Sequence, residues 1–413
     1  MTKSWAHFGN KLRNGLYPLA TVVLSAYPLS SRLFAQSDDG SSNQSSEELS
    51  EITTDVKTVL QRDLWISPRA EALGGALSTL ADGPDAPYFN PAGIGGLFVE
   101  KKSNLPLIRQ FHFPWLAVTA NKQASSLRRD FIRNGAHRDA TIAGSLVDAE
   151  AGHRQYGRAS SLITINASRL AVVPFSDIQL AAVPQGGSSE LIDLHYRRLG
   201  GVGAGISICD PSGKLYLGYF GYRTIAQEMV KTVTLTEAID PDARKIAATS
   251  GVAQYDGTGA NIGAIWRLGN IGRPTLALVS RNAGGTVLRS KDPEKDDIVF
   301  DEDLTAGFSV SPRIGKSGAF TLITELSDLT DRTRSLREKS RVGLELSLGG
   351  LGSFATFALR AGGNSGGISG GLAIYLGLIN LEASTYARDI GAGNSRVIDR
   401  RNSLVFSVNV AEL

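Results

Sequence analysis

Strict two-residue alternation in the C-terminal third constrains this chain more than any other feature. Val342, Leu344, Leu346 and Leu348 share one side of a run whose other side carries Arg341, Gly343, Glu345 and Ser347. Ile379, Leu381 and Ala383 oppose Asn380, Glu382, Ser384, Tyr386 and Arg388. Leu404, Phe406, Val408 and Val410 oppose Ser403, Ser407 and Asn409, while Ala355, Phe357 and Leu359 oppose Thr356 and Arg360. Successive side chains of a strand point to opposite faces, so each run is a strand with one apolar and one polar face. Several runs reach about nine to eleven residues, the length of a tilted bilayer crossing.

Weaker repeats of the same kind occupy 160–173, 178–183, 191–198, 202–209, 214–223, 261–267, 275–281, 306–311 and 320–326. With a strand or two in 105–120, the total is about fourteen strands, within the range of single-chain outer-membrane barrels. A soluble β-sandwich alternates as well. Crossing length, an export signal and a final alternating strand over 403–410 favour the membrane reading, although the chain ends on Leu413 and not on an aromatic residue. The expectation is an all-β fold: one transmembrane antiparallel barrel over 65–413.

The N-terminus reads as a signal peptide over 1–35. Lys3, Lys11 and Arg13 precede an apolar stretch from Leu16 to Tyr27, long enough for an export signal and too short to span as a helix. Residues 36–64 are polar, acidic and Ser-rich, a composition that buries too little apolar surface to order itself. Residues 121–155 lack alternation and read as a helical insertion, locally basic through Arg128, Arg129, Arg133 and Arg138. The acidic stretch 291–303 reads as a solvated loop without the ligand spacing of a calcium site, and 229–256 as a long polar connection.

Composition excludes several function classes. The 43 basic residues nearly cancel the 40 acidic ones, so no nucleic-acid partner is indicated. A mean hydropathy of −0.06 is what a barrel gives when it averages a lipid face with a polar lumen. Cys209 is the single cysteine. The five histidines show no metal-ligand spacing, and no nucleophile elbow or phosphate-binding loop occurs, so neither an enzyme nor a cofactor is expected.

The segment from Ser67 is turn-rich and irregular. Gly74 and Gly75 interrupt helix formers, Asp82 to Asp85 form a strong turn, and Asn90, Pro91, Ala92 and Gly93 form another. Irregular backbone cannot face lipid, so it belongs in a lumen or at its mouth. Arg69, Gly74-Gly75-Ala76, Ala81-Asp82, Ala86 and Asn90 to Gly93 resemble the opening signature of the superfamily of FadL-like fatty-acid transporters and PorV-like secretion proteins. Leu73 and Gly83 depart from that signature. The stretch from Leu359 to Arg401 resembles the closing strands of the PorV-like branch.

The resemblance implies an N-terminal plug over 67–97, with Gly74, Gly75, Asp82, Asn90, Pro91, Ala92 and Gly93 shaping it. Two functions follow from it. One is transport of hydrophobic small molecules, with a ligand such as a fatty acid. The other is a non-transporting envelope protein, either a secretion shuttle or an assembly partner. Either protein would sit in outer-membrane lipid, delivered there by the barrel-assembly machinery. Glu325, Glu345, Arg360, Glu382 and Arg388 should face the lumen, because charge is costly on a lipid face.

Overall fold

The computed structural model describes residues 65, 67–94, 110–122, 124, 154–167, 169–184, 191–234, 252–315, 317–349, 355–390 and 397–409. All belong to one compact unit, Glu51–Leu413. The expected signal peptide (1–35), leader (36–64), body of the helical insertion (125–153) and end of the plug span (95–97) lie outside the described residues.

Strand follows strand along the chain. They are β1 (Gln110–Asn121), β2 (Gln155–Ala167), β3 (Leu170–Pro184), β4 (Leu191–Cys209), β5 (Leu215–Thr234) and β6 (Ala253–Arg267). Next come β7 (Thr275–Arg281), β8 (Thr286–Ser290), β9 (Ile298–Phe300), β10 (Asp303–Val310), β11 (Arg313–Ile314) and β12 (Gly318–Leu326). The last are β13 (Ser340–Gly349), β14 (Ala355–Asn364), β15 (Gly367–Leu376), β16 (Ile379–Asp389) and β17 (Ile398–Asn409).

Pairing is antiparallel throughout, and β1 pairs with β17 as well as β2, which closes the sheet on itself. Closure satisfies both edges, the condition for crossing hydrocarbon with strands. The wall has fourteen strands. In it, β8 prolongs β7 and β9 prolongs β10, and β11 is a short arm beside β12. The break between β7 and β8 falls at Asn282, Gly284 and Gly285, all at positive φ. Most connections at one end are short (168–169, 210–214, 377–378), whereas 122–154 and 235–252 at the other are long. In outer-membrane barrels the short-turn end is periplasmic.

Alternation sorts the wall into two faces. Val202, Ile206, Leu278, Leu344, Leu359 and Leu372 are exposed on its outside, and Leu404 is 66% exposed. Between them the inward positions are buried: Asp177, Gln179, Thr224, Asn261, Glu345, Arg360 and Ser403. The outward belt is the lipid contact of an outer-membrane protein.

Two sequence expectations need correction. The polar connection over 229–256 is shorter than expected, because β5 runs to Thr234 and β6 begins at Ala253. There the paired backbone continues despite polar side chains, as Arg223 with Asp256 and Arg197 with Glu228 bridge neighbouring strands. Likewise 291–303 is not wholly loop: Ile298–Phe300 pairs with β8, and Asp303 starts β10 in an ion pair with Arg281.

Placing a charge on the outer face should therefore block assembly. Leu404→Arg should cost about 2–4 kcal/mol and abolish the heat-modifiable folded band in gel electrophoresis, whereas Ser347→Arg, which points to the lumen, should leave that band in place.

Candidate functional site: a folded segment inside the barrel

Residues 67–94 are enclosed by the wall. Their first element is the helix α1 (Pro68–Ala72). Ser67 caps it by accepting from the Ala70 N–H, and Pro68 stands where a missing N–H costs nothing. Gly74 and Gly75, at φ 71° and 91°, end it, and the Gly75 N–H returns to the Ala70 carbonyl at 2.7 Å. After the turn, α2 (Ala86–Phe89) leads into a 3₁₀ turn at Pro91–Gly93. Asn90 caps that turn by accepting from the Ala92 N–H at 3.1 Å.

Wall and segment meet backbone to backbone. A Cβ on Gly362 would lie 2.2 Å from the Leu73 carbonyl carbon, and one on Gly218 would lie 2.1 Å from that of Pro91. At Gly263 it would meet Asn90 Oδ1 at 1.9 Å. These strand glycines are the seats of the segment, a use of glycine that close backbone approach requires. Hydrogen bonds fasten it on both sides. Ser369 donates to the Ala72 carbonyl (3.2 Å) and Asn364 to that of Gly74 (3.2 Å). Opposite, Asn261 donates to the Pro87 carbonyl (3.1 Å), Ser207 to that of Ala92 (2.9 Å), and Asn90 to that of Ala264 (3.3 Å).

Charge completes the fastening. Arg69 grips Glu345 through two nitrogens, at 2.8 and 2.9 Å, and reaches Asp82 at 2.7 Å. Glu345 also binds Arg360 (2.7 Å), which bridges to Glu382 (2.5 Å) and Tyr375 (2.6 Å). Glu325 accepts from the backbone N–H and the hydroxyl of Ser78, at 2.5 and 2.6 Å. Ser403 donates to Glu71 at 3.0 Å, and Ser67 donates to Asp85. Burial pushes the Glu71 carboxyl up to about 7, against the opposing hydrogen bonds of Tyr386 and Ser403. Asp85 rises to about 6 for the same reason, against its bond from Ser67.

The sequence-predicted residues are thus placed as follows. Gly74, Asn90, Pro91 and Ala92 meet glycines of the wall, Gly93 lies against Ala81 and Ala86 of the segment itself, and Asp82 holds Arg69. Gly75 lies against the Arg341 side chain. Glu325, Glu345 and Arg360 are buried on the inner face; Glu382 and Arg388 are half-buried on the inward side of β16. Below the segment, a cavity of about 350 Å³ is lined by Arg69, Asp82, Asp85, Trp115, Glu345, Arg360 and Glu382. Its rim residues Gly377 and Asn409 place it toward the short-turn end.

Sequence reasoning missed the apolar half of the lumen. Tyr88 stacks on Trp65 (centroids 5.7 Å apart) and meets Phe175 and Phe220 edge-on at 5.7 and 5.2 Å. Trp65 leans on Trp115 at 4.6 Å, and Phe220 neighbours Tyr222 at 6.0 Å. The signal was present as aromatic residues at the inward register of strands whose other inward residues are small or polar.

A closed fourteen-stranded wall with a folded segment held inside it defines an outer-membrane barrel whose lumen is occupied. The chain is similar to solved hydrocarbon channels and transporters, and the first of these bears out the fold. The deltaS2S3 mutant of the TodX monoaromatic hydrocarbon channel is 10% identical, with a TM-score of 0.51 over 83% of this chain and 98% of that one. The Ralstonia pickettii toluene transporter TbuX is 12% identical (TM-score 0.47, 83% and 98% covered). The P. putida toluene transporter TodX is 9% identical (TM-score 0.43, 83% and 97% covered). No family model and no curated protein matches the chain. The fold shared with the deltaS2S3 TodX channel is the single outer-membrane barrel that the sequence signature implied.

Removing one member of the charge chain should loosen the segment. Glu345→Ala removes the carboxylate shared by two buried guanidinium groups and leaves Arg69 to Asp82 and Arg360 to Glu382 and Tyr375. It should cost about 3 kcal/mol, the low end for breaking a buried pair, and should open trypsin cleavage at Arg69 in the folded barrel. Glu71 and Asp85 add a pH term. Both carboxyls are raised in the folded protein, so their contribution is complete below the ordinary carboxylate range and lost as pH rises to about 7. Proteolysis of the segment should accelerate over that window, and Glu71→Gln should flatten the upper part of the profile.

Proposed function

We propose that this protein is an outer-membrane channel for hydrophobic small molecules and that residues 67–97 are its plug. The observation that carries the reading is the pairing of an apolar, aromatic-lined lumen with a segment that fills it. Apolar pockets with a few placed polar groups are the usual form of small-molecule sites. The TodX channel, which shares the fold, is a monoaromatic hydrocarbon channel by its own description. The charged cavity at the short-turn end suits water better than hydrocarbon, so the ligand-bearing part of the lumen is the aromatic half. The secretion-shuttle reading draws no comparable support.

Reconstitution tests both parts. Proteoliposomes should take up toluene or a fatty acid faster than empty liposomes, with uptake saturating in substrate. Deleting 67–94 in a barrel that keeps its heat-modifiable band should raise leakage of a small polar dye. Absence of uptake would remove the transport reading, and unchanged leakage would remove the plug.

A further inference from the structure

Tyr88 occupies the centre of the aromatic pocket, 4% exposed, yet its hydroxyl has no hydrogen-bond partner among the described residues. The surrounding groups are ring edges and faces: Phe175, Phe220 and Trp65. A phenylalanine would make the same ring contacts without burying an unsatisfied donor, which destabilises a packed state. The hydroxyl is therefore the part of Tyr88 that the resting packing does not use.

The element carrying Tyr88 is short, and its residues Ala86 to Phe89 are all buried. The α2 helix is a single turn, its N-cap Asp85 makes no capping bond from its side chain, and Asn261 holds it through the Pro87 carbonyl. The polar cavity lies next to it, since Pro84, Asp85 and Trp115 line that cavity and Trp115 touches the tryptophan on which Tyr88 stacks. At about 350 Å³ it falls within the size range of small-molecule pockets, and it offers carboxylate and hydroxyl partners to a phenol.

Resting on the channel reading above, we infer that Tyr88 is a displaceable placeholder: its ring fills the ligand pocket and yields it to a single unsubstituted or alkyl-substituted aromatic ring. Among the described residues the pocket offers ring contacts and leaves the Tyr88 hydroxyl without a partner, so a hydrocarbon ring is the better occupant. The displaced Tyr88 gains hydrogen bonds by turning toward the polar cavity. Binding and opening are then one exchange, in which the plug's own side chain competes with the ligand.

Fluorescence tests the exchange. The chain has four tryptophans, and Trp5→Phe with Trp266→Phe leaves as emitters Trp65, which stacks on Tyr88, and Trp115, which leans on Trp65. Toluene should change their emission saturably, and p-cresol should bind more weakly. Tyr88→Phe makes a better placeholder and should weaken toluene binding about tenfold, the scale of one buried unsatisfied hydroxyl. Tyr88→Ala should vacate the pocket and tighten binding, as emptied apolar cavities accept benzene-sized ligands. Equal toluene affinity of Tyr88→Phe and the parent would overturn the inference, as would emission that toluene leaves unchanged. If Tyr88→Ala loses its folded band, the Tyr88→Phe comparison decides alone. Saturable binding without vesicle uptake would sink the transport reading and keep the pocket; uptake without an emission change would do the reverse.

Discussion

Hydrocarbon offers no partner to a backbone amide or carbonyl, and that constraint governs the whole molecule. A strand wall can meet it only by closing, as β1 does against β17. Closure creates an interior sheltered from lipid, and the interior admits what the wall cannot: the irregular backbone of 67–94, its two short helices and its left-handed glycines. The polar inward face then has a use beyond avoiding lipid. Its serines, asparagines and carboxylates are the groups that satisfy the segment's exposed carbonyls and N–H groups.

The lumen divides by chemistry. Strands β13, β14 and β16 carry the wall end of the charge chain that runs from Asp82 through Arg69, Glu345 and Arg360 to Glu382, while β3 and β5 bring Phe175 and Phe220 against Tyr88. Charged pairs in low dielectric contribute little net stability but penalise any state that separates them. They fix where the segment sits. In the aromatic half the wall holds the segment's backbone carbonyls by hydrogen bonds and meets Tyr88 through ring contacts, so there a side chain can be exchanged for a ligand.

Much of the wall was legible from its residues. Leu344 and Glu345 could be assigned to opposite faces because a strand has a period of two, and charge on a lipid face is costly. The irregular stretch around Asn90 to Gly93 could be assigned to an interior on the same ground. What could not be read was partnership across the barrel. Nothing in the local sequence links Arg69 to Glu345, or Gly362 to Leu73, because those contacts depend on the register of distant strands. The strand termini at Thr234 and Ala253 were misjudged for a related reason: above the lipid, paired strands no longer need an apolar face, and alternation fades while the ladder continues.

The closed seam also sets an order of events during assembly. The internal segment precedes β1 in the chain, yet it touches β14–β17 and β4–β6 alike. Contacts so distant in sequence form slowly. The segment must be in place when β17 reaches β1, or thread in through an open end afterwards. Its seating glycines leave no slack for a late arrival with the wrong backbone path. The β1–β17 seam is therefore a one-way door in biogenesis: once it shuts, the enclosed polypeptide can rearrange side chain by side chain, but it cannot leave through the wall without unzipping the barrel.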